Sequence, residues 1–208
     1  MPMIPEAYYA AHACSRIGAI HSIVFGGFAP EELASRISHA EAKLIITASC
    51  GQELKKVIPY VPNVDRALQL CNRPELPRII VQRPEILRAE VNRYYIDYAE
   101  AMEKTTIGHD VVPVESDHPL YVLYTSGTTG FPKGILRSHG ESATVYKYKM
   151  NYLFNTYPKE CFWSPSDIGW VVGHSFSLYA TNMAGAHGVI YEGKPVGTPN
   201  AGEFWRLC

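Results

Sequence analysis

No two cysteines stand in C-x-x-C spacing, no run of like charge occurs, and every apolar stretch is broken too soon to cross a membrane. The five cysteines, Cys14, Cys50, Cys71, Cys161 and Cys208, are odd in number and widely scattered, a pattern that suits a reducing intracellular compartment better than a disulfide framework. With 19 Lys and Arg against 20 Asp and Glu, the chain offers no basic face to nucleic acid and none to an anionic membrane. Residues 1–18 lack a basic leader, and His12 and Arg16 interrupt their apolar residues, so they read as a helix from the interior of a fold. What the chain does have is a 47% hydrophobic content over 208 residues, enough to fill the core of one domain.

Its order of segments predicts an α/β fold with mainly parallel sheets and flanking helices. Pro5 and Glu6 suit a first helical turn and Gly18 a stop. Residues 19–25 read as a buried strand ended by Gly26 and Gly27. A helix from Pro30 places Leu33 and Ile37 on one face, and residues 43–49 form the next strand. Pro59 and Pro62 break any long helix, with Asn63 capping a short one through Leu70. Residues 78–82 are a further strand, and residues 93–102 are partly helical. The run Leu120, Tyr121, Val122, Leu123 is a strand; a helix follows over residues 142–157, then strands over 161–164 and 188–193.

Directly after that apolar run comes YTSGTTGFPKG, residues 124–134. A loop of Ser, Thr and Gly between a strand and a helix aims backbone N–H groups and hydroxyls at phosphate oxygens, while glycine lets the main chain approach closely. The nucleoside-triphosphatase signature is excluded, because Pro132 takes the place of its second glycine and Gly134 follows Lys133. The string instead resembles the phosphate loop of the adenylate-forming superfamily, T-S-G-[ST]-T-G-x-P-K-G, at every position from Thr125 to Gly134. Residues 2–37 are similar to the short-chain acyl-CoA synthetase branch of that superfamily, as is FWSPSDIGWVVGHSF, residues 162–176. YEGKPVGTPNAGEFW, residues 191–205, resembles the mitochondrial propionate-CoA ligase type.

The resemblance implies a ligase that joins a short carboxylic acid to CoA through an acyl-adenylate, using ATP with Mg²⁺, in the mitochondrial matrix or the cytosol. It implies phosphate contacts from Thr125, Ser126, Gly127, Thr128, Thr129, Gly130, Lys133 and Gly134, with Lys133 and Thr128 closest to the chemistry. It places Trp170, Val171, Val172 and Gly173 along the acyl pocket. Val172 stands where acetyl-CoA synthetase has threonine, which favours propionate. CoA falls to Phe25, Gly26, Gly27, Lys55 and Lys56. A bound carboxylate is already ionised and needs no base, so His174 reads as a positioning residue. His12, His21, His39 and His139 have no ligand-like spacing, and no protein-bound zinc is expected.

Three departures from the branch stand out: Gly140 and Glu141 replace a glycine pair, Tyr179, Ala180 and Thr181 replace Y-G-P, and Ala186, His187 and Gly188 replace two threonines. The pattern also implies that residues 1–208 are one part of an AMP-binding domain. The rest of the large domain and the mobile C-terminal domain would lie outside them, so this part alone is expected to fold incompletely and to form no thioester. Two other readings remain: a ligase for a medium-chain or aryl acid, which Trp170 disfavours by shortening the pocket, and a non-catalytic remnant that binds nucleotide weakly or not at all, or serves only as an interaction module.

Overall fold

The computed structural model describes residues 1–53, 56–106, 108–125, 133–193 and 200–208. In chain order the described elements begin with helices α1 (Pro5–Arg16) and α2 (Pro30–His39), strands β1 (Ile45–Ala48), β2 (Cys50–Glu53) and β3 (Lys56–Pro59), and helix α3 (Val61–Leu70). Strands β4 (Arg78–Val81) and β5 (Tyr95–Asp97), helix α4 (Tyr98–Lys104), strands β6 (Pro119–Thr125) and β7 (Lys133–Ser138) and helix α5 (His139–Tyr152) follow. Strand β8 (Cys161–Phe162), a π-helix (Gly173–Ala180), helix α6 (Thr181–Ala184), strand β9 (His187–Gly188) and helix α7 (Glu203–Leu207) complete the series. Contacts divide the chain into two compact units, one of residues 1–2, 26–109 and 192–208, the other of residues 3–25 and 110–191.

The first unit is built on β4, which pairs in parallel with β1 on one side and β5 on the other. Parallel pairing of β1 with β4 requires a crossover, and α3 supplies its helix. Apolar positions three and four apart on α2 and α3 bury Ala34, Ile37, Val64, Ala67 and Leu68 with Leu76 in one cluster. Arg78 opens β4 at 1% exposure and donates to the carbonyls of Leu76 and Pro74 at 2.8 Å each, which satisfies part of a guanidinium otherwise costly to bury. One expectation needs correction here. Asn63 does not cap α3, because the helix begins two residues earlier at Val61 with Pro62 in its first turn. Residues 50–59 also form the antiparallel hairpin β2–β3, with Cys50 opposite Pro59.

In the second unit α1 ends as its sequence implies. Gly18 adopts φ +70°, and the N–H of Ala19 reaches back to the carbonyl of Cys14 at 2.9 Å, closing a C-terminal motif that favours glycine. Residues 19–25 do not form the expected strand. One edge of β6 is taken by β7, and on its other edge only His21 pairs, as a single parallel bridge to Tyr121. With one rung in place of a ladder, Ile20 stays 51% exposed.

Helix α5 starts earlier than expected, at His139, because Ser138 accepts a bond from the N–H of Glu141. Glu141, which departs from the glycine pair, supplies the N–H that Ser138 caps, while its carboxylate pairs with Arg137. The final strand is short: only His187 and Gly188 pair, in parallel with Cys161 and Phe162. Parallel pairs β1–β4, β4–β5 and β8–β9 thus stand beside two antiparallel hairpins, and the α/β expectation holds.

Leu68 is fully buried in the α2–α3 cluster, so Leu68→Ala is expected to lower stability by about 2–5 kcal/mol. Val145→Ala, on the exposed face of α5, is expected to change it by no more than about 0.5 kcal/mol. Urea denaturation followed by circular dichroism checks both.

Candidate functional site

Strand β6 delivers the glycine-rich motif. Its last residue, Thr125, pairs with Lys133, the first residue of β7, so both ends of the intervening segment meet at one rung of a hairpin. Ser126, Gly127, Thr128, Thr129 and Gly130 lie outside the described residues, as does Lys55. The expectation of a strand-loop-helix arrangement is corrected: β7 intervenes before α5, so no helix N-terminus directly follows the motif. Lys133 is exposed, and Gly134 lies opposite Tyr124, where a Cβ would come within 3.2 Å of the tyrosine ring and 3.0 Å of Val122.

The segment 166–174 is the most tightly determined part of this unit. Asp167 accepts the N–H of Gly169 on Oδ1 at 2.7 Å, a side-chain-closed turn, and its carbonyl accepts the N–H of Trp170 at 3.0 Å. A Cβ on Gly173 would stand 2.2 Å from the carbonyl oxygen of Asp167 and 2.4 Å from that of Ser166, so only glycine fits. Trp170, Val171 and Val172 then emerge at 50%, 57% and 49% exposure, three large apolar side chains in succession facing water. This is neither a packed core tryptophan nor a set of core valines. The ring of Phe25 lies 5.8 Å from that of Trp170, and a Cβ on Gly169 would meet the Phe25 backbone at 2.8 Å. Phe25, expected at the CoA end, is thus brought beside the expected acyl wall.

Gly26, Gly27 and Lys56 belong to the other unit. There Gly26 has a packing reason of its own: the Tyr60 hydroxyl would lie 2.1 Å from a Cβ on Gly26 and 2.2 Å from one on Gly51. Lys56 is exposed at the start of β3, in register with Glu53.

Beneath the 166–174 segment lies a cluster that the sequence did not announce. His174 is fully buried, its ring 4.2 Å from Tyr121 and 5.3 Å from His21, and its Nδ1 is 3.0 Å from the Ile168 carbonyl. His21 Nε2 meets the Tyr179 hydroxyl, and Tyr121 and Tyr146 share a hydroxyl contact at 2.5 Å. His12 packs edge-on against Tyr179. Spacing could not reveal this set, because positions 21, 121, 146, 174 and 179 converge only through β6. Burial pushes His21 down to about 3, helped by the neighbouring histidines, and pushes His174 down to about 4 against the pull of the Ile168 carbonyl. Burial likewise raises the Tyr121 and Tyr179 hydroxyls far above the usual phenol range. His21 and His174 are therefore uncharged at pH 7, and Tyr121 and Tyr179 keep their phenolic protons.

The Y-G-P departure also has a structural role. The N–H of Thr181 donates to the Phe176 carbonyl five residues back, and its hydroxyl donates to the same oxygen at 2.6 Å. Proline has no N–H to close that last π-type turn.

Compared with known proteins, residues 1–208 match the model of the AMP-binding enzyme family over their full extent. The chain belongs to that family. It is 49% identical over 208 residues to acyl-CoA synthetase short-chain family member 3, mitochondrial, of Bos taurus, and 48% identical over 209 residues to the protein of that name from Homo sapiens. It is 40% identical over 209 residues to acetyl-coenzyme A synthetase of Methylobacterium radiotolerans. Each match covers all of this chain but only 30%, 30% and 32% of the respective relative. Acetoacetyl-CoA synthetase from Streptomyces lividans superposes with a TM-score of 0.88 at 24% identity, over all of this chain and 31% of that one, a likeness of fold.

Two measurements test this geometry. Gly173→Ala is expected to cost about 1–3 kcal/mol, because the Cβ meets backbone that cannot step aside, while Gly188→Ala, with ordinary contact at 3.4 Å, stays within about 0.5 kcal/mol. The second is pH dependence. His21 and His174 resist protonation when folded but titrate near the usual 6.5 when unfolded, so their contribution is complete above pH 6.5 and is lost as pH falls toward 4. Unfolding free energies from urea denaturation are expected to be lower at pH 5 than at pH 7 by about 2 kcal/mol for each histidine.

Proposed function

We propose that this chain carries the phosphate cradle and part of the acid pocket of an ATP-dependent short-chain acyl-CoA ligase. One observation carries the reading: in a member of the AMP-binding enzyme family, the motif from Thr125 to Gly134 has its two ends joined at one rung of the β6–β7 hairpin, with Lys133 exposed there. On this reading Ser126, Thr128, Thr129 and the amides of Gly127 and Gly130 receive the β- and γ-phosphates, and Lys133 adds a point charge. Mg²⁺ arrives with the nucleotide as part of the substrate. Among the described residues, no group of three or more His, Cys, Asp or Glu side chains gathers into a metal site.

The chemistry runs in two displacements. An acid carboxylate oxygen attacks the α-phosphorus; the bond to the pyrophosphate oxygen breaks and an acyl-adenylate forms. The CoA sulfur then attacks the acyl carbon as its thiol proton passes to solvent, the bond to the AMP oxygen breaks, and acyl-CoA and AMP are released. The protein's work in the first step is to position the reactants and neutralise charge. Propionate, with acetate second, is the acid that suits Trp170 and Val172, an apolar wall too bulky for a long chain. The CoA roles of Phe25, Gly26, Gly27, Lys55 and Lys56 are part of the same reading. So is a division of labour in which this chain supplies one portion of the AMP-binding domain, consistent with its spanning 30% of the mitochondrial relatives. A reducing compartment, the mitochondrial matrix or the cytosol, accords with five cysteines that are all free thiols.

Calorimetric titration of the chain with Mg-ATP is expected to give saturable heat, and Lys133→Ala is expected to weaken it about tenfold. An absence of heat at millimolar nucleotide would leave the remnant reading in its place. Propionate added to the nucleotide-loaded chain should perturb Trp170 fluorescence, and hexanoate should not.

A further inference from the structure

We propose that His174 is the positioning residue that holds Trp170, Val171 and Val172 in the attitude needed to line the acid's alkyl chain. The inference rests on the pocket reading above and adds the element that fixes the pocket's shape. Trp170, Val171 and Val172 are half exposed, so the backbone that carries them shares with the Phe25 ring, 5.8 Å from that of Trp170, in setting their directions. That backbone is gripped from both sides of residue 170 by one histidine. The main-chain N–H of His174 donates to the Trp170 carbonyl at 2.9 Å, and its ring Nδ1 lies 3.0 Å from the Ile168 carbonyl. A carbonyl can only accept, so Nδ1 carries the proton and Nε2 is the bare nitrogen.

The ring itself is immobilised. It is fully buried, with Tyr121 at 4.2 Å, His21 at 5.3 Å and Tyr179 at 5.7 Å between ring centres. Nε2 is buried with no hydrogen-bond partner, so the ring makes its one side-chain bond through Nδ1 to the turn. Leaving a buried nitrogen unpaired is costly. A phenyl ring would fill the same space without that cost, but it would lose the bond to Ile168. Asp167 and Gly173 fix the path of the segment, and His174 ties that path to β6 through Tyr121, whose strand carries the phosphate motif.

Trp163→Phe and Trp205→Phe leave Trp170 as the single tryptophan of the chain. Acrylamide quenching in that background, without ligand, reads the attitude of the wall. His174→Phe is expected to raise the quenching constant up to about twofold, since Trp170 is already 50% exposed. His174→Asn, whose amide nitrogen can stand near the place of Nδ1, is expected to restore most of the original value. A folded His174→Phe chain with unchanged quenching overturns the proposal. Nitrogen-15 spectra of the unaltered histidine give a reading that requires no variant to fold: the Nδ1–H form is expected, and the Nε2–H form overturns the assignment. Propionate distinguishes the two levels of the reading. If it leaves Trp170 fluorescence unchanged in the single-tryptophan chain, the acid pocket is wrong, whereas the quenching comparison still reports the histidine's hold on the turn.

Discussion

Strand β6 is the reference to which the second unit is built. One edge carries β7 over the length of the hairpin, and the other accepts a single bridge from His21. On its buried face, Tyr121 touches His174 of the π-helix by its ring and Tyr146 of α5 by its hydroxyl. The ends of the phosphate motif, the apolar wall and the helix after the motif are therefore positioned against seven residues of one strand. A change in the register of β6 would move all three together, because a shift of one residue exchanges its two faces.

The elements most legible in the sequence were those whose signals are local. Pro30 with two glutamates behind it, Gly18 at a left-handed turn and the apolar run before the glycine-rich motif each specify their structure within a few residues. The Asp167 turn was readable for the same reason, since its bond spans two residues. Where the outcome depended on partners, the sequence was ambiguous. Residues 19–25 have strand composition, but a strand requires an available edge, and β6 offers them one rung. Strands β2 and β3 are four residues each and the second ends in proline, so their pattern is weak in sequence, although they pair from Cys50 opposite Pro59 to Glu53 opposite Lys56. The start of α5 was there to be read in Ser138 and Glu141.

The candidate site divides along the same line. The glycine-rich motif is legible as a string, while the histidine and tyrosine cluster beneath Trp170 arises only when residues 53 and 153 positions apart meet. Burial holds His21 and His174 uncharged, so protonating either works against the packing that surrounds it. Glycines in this protein also serve more than ligand approach. Gly26 and Gly51 flank the Tyr60 hydroxyl in the first unit, and that close fit explains the first glycine of the F-G-G turn without any bound molecule.

The antiparallel register of β7 has an evolutionary corollary. Insertion or deletion of one residue between Thr125 and Lys133 would either be absorbed within that connection or turn the lysine to the opposite side of the ribbon, together with every alternate side chain as far as Ser138. Length variation in such a hairpin is therefore punished at the strand and tolerated, if anywhere, between its two anchors. What the register protects is the pairing of the lysine with the threonine, whatever the number of residues between them.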